Sequence, residues 1–298
     1  MQAAQPRAWV IPAKAGIQRA AQRCCLQAQA RAVIAAWSEP KPMAEAPARI
    51  TSYALRMEGV GRRFGALVAL EEVSLEILPG ERRAIIGANG AGKTTLFNCV
   101  TGDFPPTSGR IVFFGEDITH LPAWERIRRG LRRTYQNSLL FRNLSVIDNL
   151  YLAARGITRG RMSLRRPAAD DPGYESAREL AHYAHLEHVA SRTVAELSHG
   201  QQRQLEIGMA LAGAPRLILF DEPAAGLAPA ERRELMALLR SLPSHTGFIL
   251  IEHDLDIALA VVDYVTVMHN ARILKHGTPK QIEVDPEVQA IYLGERRG

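Results

Sequence analysis

The 298-residue chain is 47% hydrophobic and 23% charged, near the globular average, which excludes a wholly disordered, collagen-like or disulfide-scaffold protein. That size suits one large α/β domain, alone or carrying an inserted subdomain, and no apolar run reaches the roughly 18–20 residues of a membrane helix. The net charge of +6 invites a nucleic-acid reading, but most of it lies in the first 42 residues, so the remainder is close to neutral and has no electrostatic footprint for DNA or RNA.

Residues 1–48 are rich in Ala, Gln and Arg. Arg7, Lys14, Arg19, Arg23, Arg31 and Lys41 stand against the single acid Glu39, and Pro6, Pro12, Pro40, Pro42 and Pro47 interrupt the segment. Pro12 and Lys14 break its one apolar stretch, which argues against a secretory signal. Val10–Gln18 resembles translated repetitive intergenic sequence of bacterial genomes. The tail is therefore expected to be disordered or artefactual, with the native start at Met43; an organelle transit peptide is the alternative. Adjacent Cys24 and Cys25 lack metal-ligand spacing and Cys99 falls in an apolar helical segment, a pattern that fits a reducing compartment.

Beyond the tail, Leu55–Val60 and Leu67–Ile77 alternate like half-buried antiparallel strands. Arg83–Ile86 then runs into Gly87-Ala-Asn-Gly-Ala-Gly-Lys-Thr94, which satisfies G-x-x-x-x-G-K-[ST] between an expected strand and an expected helix over Lys93–Thr101. In that context the glycines let backbone N–H groups curl around phosphate oxygens and the helix N-terminus adds favourable partial charge. Lys93 would reach the β- and γ-phosphates, and the Thr94 hydroxyl would help hold Mg²⁺. Gly87, Asn89, Gly90, Ala91, Gly92, Lys93, Thr94 and Thr95 make up the expected ATP-binding run.

From Asn143 to about Ala195 the pattern turns helical, over Val146–Ala154 and Ala177–Ala190, with a Gly/Arg/Pro-rich break at Arg155–Gly173. His182, His185 and His188 recur every third residue there, but lack neighbouring ligands and read as solvent-facing. The arginines of the break read as a solvated loop. Strand–helix alternation resumes at Leu217–Phe220, Ala230–Leu242, Phe248–Glu252, Ile257–Val262 and Tyr264–His269. The apolar run Leu217–Phe220 ends in Asp221 and Glu222, at the carboxyl edge where open α/β sheets bind ligands. Asp221 is placed to orient Mg²⁺, and Glu222 to act as general base on the attacking water.

Leu197-Ser-His-Gly-Gln-Gln202, lying between these two motifs, resembles the signature of ABC ATPases, and the resemblance covers roughly residues 53–298. It implies an α/β P-loop ABC ATPase with an antiparallel β subdomain and an inserted α-helical subdomain, the domain spanning 49–298 and the insert about 137–200. It further implies that Ser198, His199, Gly200 and Gln201 face the γ-phosphate of ATP held by the opposite subunit, on a helix beginning near Gln201, with His199 replacing the usual second glycine. Phe64 looks like the aromatic that stacks on adenine. Gln136 matches the switch glutamine that touches Mg²⁺ and water, and His253 the switch histidine that reads the γ-phosphate beside Glu222. Ala228 stands where the family usually carries Asp or Asn.

Phe97-Asn-Cys99, Asp221-Glu-Pro-Ala-Ala-Gly226, Glu252-His-Asp254, Gly277-Thr-Pro279 and Ile291-Tyr-Leu-Gly-Glu295 are most similar to the ATPases of branched-chain amino acid importers. Urea or amide importers and lipopolysaccharide-export ATPases are the near alternatives. The partners implied are transmembrane permease subunits, a second ABC ATPase subunit of the same or another kind and, indirectly, a periplasmic solute-binding protein, with the chain peripheral on the cytoplasmic face of the inner membrane. A DNA-maintenance ABC ATPase is the alternative of a different class. It would need a long coiled coil between Lys93 and Leu197, and the intervening residues carry no sustained heptads.

Overall fold

The computed structural model describes residues 53–134, 139–157 and 171–295. The N-terminal tail and Gln136 lie outside them. Strands β1 (Leu55–Phe64), β2 (Leu67–Ile77), β4 (Ser108–Phe113) and β5 (Glu116–Asp117) form an antiparallel sheet ordered β2-β1-β4-β5. Leu55 pairs with Ile77 on one side and with Phe113 on the other. The alternation seen in β1 and β2 has the expected cause, since one face of this sheet is buried and the other open.

The second sheet has six strands ordered β10-β9-β3-β8-β7-β6. Its members are β3 (Arg82–Gly87), β6 (Leu131–Arg133), β7 (Leu217–Asp221), β8 (Gly247–Ile251), β9 (Tyr264–His269) and β10 (Arg272–Gly277). All neighbours are parallel except β9 and β10. Every residue of β7 and β8 is buried, which explains their unbroken apolar runs: central parallel strands are covered on both faces. Helix α1 (Lys93–Thr101) joins the two sheets. Its Leu96, Phe97, Cys99 and Val100 share one core with Leu55, Met57, Ile111, Phe113, Ile85, Leu219 and Ile251. Burial pushes the Cys99 thiol up to about 11, so it is a packing group and not a reactive one.

Helix α2 is Ala123–Arg128; α3 (Val146–Gly156), α4 (Gly173–Tyr183) and α5 (His199–Ala210) form the helical region; α6 (Pro229–Ser241), α7 (Leu255–Ala260), α8 (Pro279–Glu283) and α9 (Pro286–Glu295) follow. Leu150, Leu180, Ala184 and Leu205 of the helical region pack in the same cluster as Phe220, Phe248 and Leu235. The helical region and the sheet therefore share a hydrophobic core.

The helix expected over Ala177–Ala190 stops at Tyr183. His185 takes φ 58°, its N–H donates to the His182 carbonyl at 3.0 Å, and the Leu186 N–H donates to the Ala181 carbonyl at 2.8 Å. This is a Schellman ending with buried Leu186 as its apolar anchor. The three histidines consequently do not share one helical face, and His182 Nδ1 instead meets Glu187 Oε1 at 2.5 Å.

Candidate nucleotide-binding site

The loop between β3 and α1 is shaped by contacts that leave no room for side chains. A Cβ on Gly87 (φ 153°) would lie 2.2 Å from the Met268 carbonyl oxygen, and one on Gly92 (φ 100°) 2.5 Å from that of Ala69. At Gly90 (φ 81°) a Cβ would meet nothing within 4 Å, so the loop is open there. Gly92 caps α1 without a side-chain hydrogen bond, and the first turn has no acid. Its N–H groups are thus presented to an external anion. Buried Lys93 folds back, Nζ donating to the carbonyls of Gly87 at 2.5 Å and Ala88 at 2.9 Å. Thr94 is exposed and Thr95 half-buried on the first turn.

Sheet order brings the other groups to the same edge. β8 and β7 lie successively beside β3, so Asp221 and Glu222 at the end of β7 and His253 just beyond β8 share the carboxyl edge with Gly87. Glu222 adopts φ 49°, rare for a residue with a side chain. Its N–H is held by the Ile251 carbonyl at 2.9 Å, and its Oε1 lies 2.6 Å from His253 Nε2. Glu252, next to this pair, is buried and accepts the Ala224 N–H at 2.8 Å. Burial, with Glu222 adding repulsion, raises its carboxyl to about 7.

Asp221 is buried, and Arg133 donates to its Oδ2 at 2.8 Å. Its Oδ1 makes no hydrogen bond among the described residues. The Asp221 carboxylate and the exposed Thr94 hydroxyl are the hard oxygen donors that suit Mg²⁺.

The segment at Ser198 is organised differently. Ser198 caps α5: its Oγ accepts the Gln201 N–H at 3.2 Å and its own N–H donates to Gln201 Oε1 at 3.1 Å. The helix thus starts at His199, two residues before the expected point, because Ser198 and Gln201 form a capping box. Glu231 Oε1 accepts from Ser198 Oγ at 3.0 Å and from the Gly200 N–H at 2.9 Å. Among the described residues, neither Ser198 nor Gly200 bonds to the loop at 87–95. His199 is exposed and its Nε2 would lie 3.6 Å from a Cβ on Gly226.

Residues 70–225, more than half the chain, match the ABC transporter family. The chain belongs to that family. As an ABC ATPase, the cassette binds and hydrolyses ATP. It is 40% identical over 251 residues to the "High-affinity branched-chain amino acid transport ATP-binding protein LivG" of Escherichia coli K12, covering 81% of this chain and 98% of the relative. It is 38% identical over 249 residues to BraF of Pseudomonas aeruginosa, named for the same transport, with the same coverages. The lipopolysaccharide export ATP-binding protein LptB of Escherichia coli K12 is 34% identical over 242 residues, covering 81% of this chain and 97% of LptB. Among solved structures, the ADP conformation of MJ1267, an ATP-binding cassette of an ABC transporter, superposes with a TM-score of 0.73 at 33% identity, covering 82% of this chain and all of that one.

Within the cassette, Phe64 is exposed at the end of β1. The Arg62 guanidinium lies 4.6 Å from its ring centroid and Phe104 packs edge-on at 5.5 Å, which holds the ring in place. Four residues to which motif reading gives no role support the site. Fully buried Arg126 donates to the carbonyls of Cys99 and Val100, both at 2.7 Å, and of Leu121 at 2.8 Å. It puts a cation at the negative end of α1. Arg133 joins Asp221 to Asp103, also at 2.8 Å, and to Asn98. Glu231 and Glu252 are the other two. Each has at least one partner 26 to 88 residues away, so local spacing does not announce these contacts.

Proposed function

We propose that the cassette is the ATP-hydrolysing subunit of a membrane importer for branched-chain or other hydrophobic amino acids. The observation that carries its chemistry is the 2.6 Å contact between Glu222 and His253 on the sheet edge that ends in the phosphate loop. Gly87–Thr95 cradle the phosphates, with Lys93 on the β- and γ-groups and Phe64 under adenine. Thr94, Asp221 and Gln136 hold Mg²⁺, which when bound neutralises charge on the phosphates. Glu222 takes the proton of the attacking water, and His253 fixes the carboxylate and reads the γ-phosphate. Ser198, His199, Gly200 and Gln201 complete the site of a second cassette, so two cassettes enclose each ATP.

No described helix is long and apolar enough to cross a membrane; in this reading the pore comes from permease subunits and the cassette sits peripherally on the cytoplasmic face. A groove between sheet and helical region supports this docking. It is lined by Arg132, Thr134, Leu139, Leu140, Ile157 and Met209, and Leu139, Phe141 and Ile157 are exposed around it. Amino acid import is favoured by the names of LivG and BraF. The LptB likeness keeps lipopolysaccharide export as the second reading.

The decisive experiment is Glu222→Gln in the purified transporter. ATP should remain bound while turnover falls by at least about 100-fold, the usual yield of a positioned base. Wild-type turnover would remove Glu222 from the chemistry. Uptake of labelled leucine into proteoliposomes, against lipopolysaccharide extraction, separates the two transport readings.

A further inference from the structure

The segment expected to receive a γ-phosphate already holds an anion from its own chain. Glu231 is the third residue of α6, and both of its carboxylate oxygens are engaged. Oε1 accepts the Ser198 hydroxyl at 3.0 Å and the Gly200 N–H at 2.9 Å. Oε2 accepts the Ala228 N–H at 3.1 Å. Space is closed as well as charge: a Cβ on Gly200 would lie 2.8–2.9 Å from the Cβ, Cγ and Cδ of Glu231. The Gly200 and Ala228 N–H groups and the Ser198 hydroxyl hold the carboxyl below its ordinary range, so it is ionised at neutral pH.

The donors can be counted. Ser198 Oγ has one proton and gives it to Glu231, while the same oxygen accepts from Gln201. Gly200 has one N–H and gives it to the same carboxylate oxygen. A phosphate oxygen arriving from outside needs those two protons, and two anions cannot share them without strong repulsion. The Ala228 N–H offers the carboxylate somewhere to stay once it has let go of Ser198 and Gly200, because a Glu at this helix position can remain bonded to the capping N–H.

We propose that Glu231 is a tethered anion occupying the seat of the γ-phosphate presented by the partner cassette, and that it must release Ser198 and Gly200 before the pair closes. This rests on the two-cassette reading above. Glu231 is then a positioning residue that sets how much ATP is needed for closure. The apparent affinity is reduced by the fraction of cassettes whose seat is open.

The test compares Glu231→Ala, Glu231→Gln and Ser198→Ala in the purified transporter, with KM for ATP and kcat measured separately. Emptying the seat with Glu231→Ala should lower KM by about threefold to tenfold, the reciprocal of an open fraction of roughly 0.1–0.3. Glu231→Gln keeps the shape, loses the charge and should lower KM by less. A KM that stays the same or rises in a variant that melts like wild type overturns the proposal, because a structural brace predicts that direction. If Glu231→Ala folds poorly, the Gln variant decides by the same sign. Ser198→Ala tests the underlying reading: a drop of at least about tenfold in kcat/KM is expected for a lost charge-assisted contact to phosphate. A silent Ser198→Ala removes the two-cassette site, and the proposal with it. A damaging Ser198→Ala beside an unchanged KM in both Glu231 variants removes the tethered anion alone.

Discussion

Helices α1 and α5 both carry a glycine at or within their first turn, Gly92 and Gly200, yet those turns are satisfied in different ways. α1 has Gly92 as its cap, no capping side chain and no acid in its first turn. α5 has Ser198 as its cap, Gln201 closing the box and Glu231 bonded to Gly200. The phosphate loop therefore presents its N–H groups to an anion from solution, whereas on the proposal above the Ser198 segment must exchange one anion for another. A ligand entering the first region meets no acid in the first turn; in the second, on the proposal above, it competes with a carboxylate that cannot diffuse away. On that proposal the same chain prepares one phosphate seat for tight capture and the other for a conditional, reversible contact.

That contrast can be attacked from the phosphate loop first, where the effect should be largest. Lys93→Ala removes the cation that the proposed site sets against the β- and γ-phosphates, and kcat/KM for ATP should fall by at least about 1000-fold, measured by steady-state hydrolysis. The far end of α1 comes next. Arg126→Met leaves several buried carbonyls without a donor and should cost about 3 kcal/mol of folding stability by chemical denaturation, since each orphaned buried group costs roughly 1–3 kcal/mol. A variant that unfolds like wild type would show that α1 holds its loop without that cation.

A smaller effect is expected at Glu252, whose bond to Ala224 begins the stretch leading to Glu231. Its carboxyl is raised from 4.5 to about 7 in the folded chain, mainly by burial. A carboxyl raised on folding contributes fully below about 4.5, and that contribution is lost as pH rises through about 7. Glu252→Gln keeps the acceptor for the Ala224 N–H and removes the titration. Denaturation midpoints measured between pH 5 and 8 should fall with rising pH in the wild type. They should stay flatter in the variant, whose advantage at pH 8 is about 2 kcal/mol.

Legibility in the sequence followed the range of the interactions involved. The limits of α1, Lys93–Thr101, can be read directly because Gly92 and Gly102 bracket the helix with left-handed backbone at both ends. β7 and β8 are legible because complete burial leaves nothing polar to interrupt them. The end of α4 was missed because His185 takes the left-handed turn that glycine usually marks. β4, β6 and β10 are short and mixed in polarity, so periodicity offers no hold on them; β4 and β6 also pair with strands far away in the chain, whereas β10 folds back on its neighbour β9. Motif spacing brought Lys93, Asp221, Glu222 and His253 into one expected site, which the sheet order places on one edge. Arg126, Arg133 and Glu231 remained hidden because each serves groups that only the folded chain brings within reach.

The backbone at Glu222 carries a further consequence. A left-handed φ of 49° at a strand end suits glycine, and holding a branchless but full side chain there costs on the order of 1–3 kcal/mol. Folding alone would favour the smaller residue. The chain accepts a torsional penalty to aim one carboxylate at His253; with Glu222 as the proposed base, a sequence optimised only for thermal robustness would drift away from hydrolysis at this very residue.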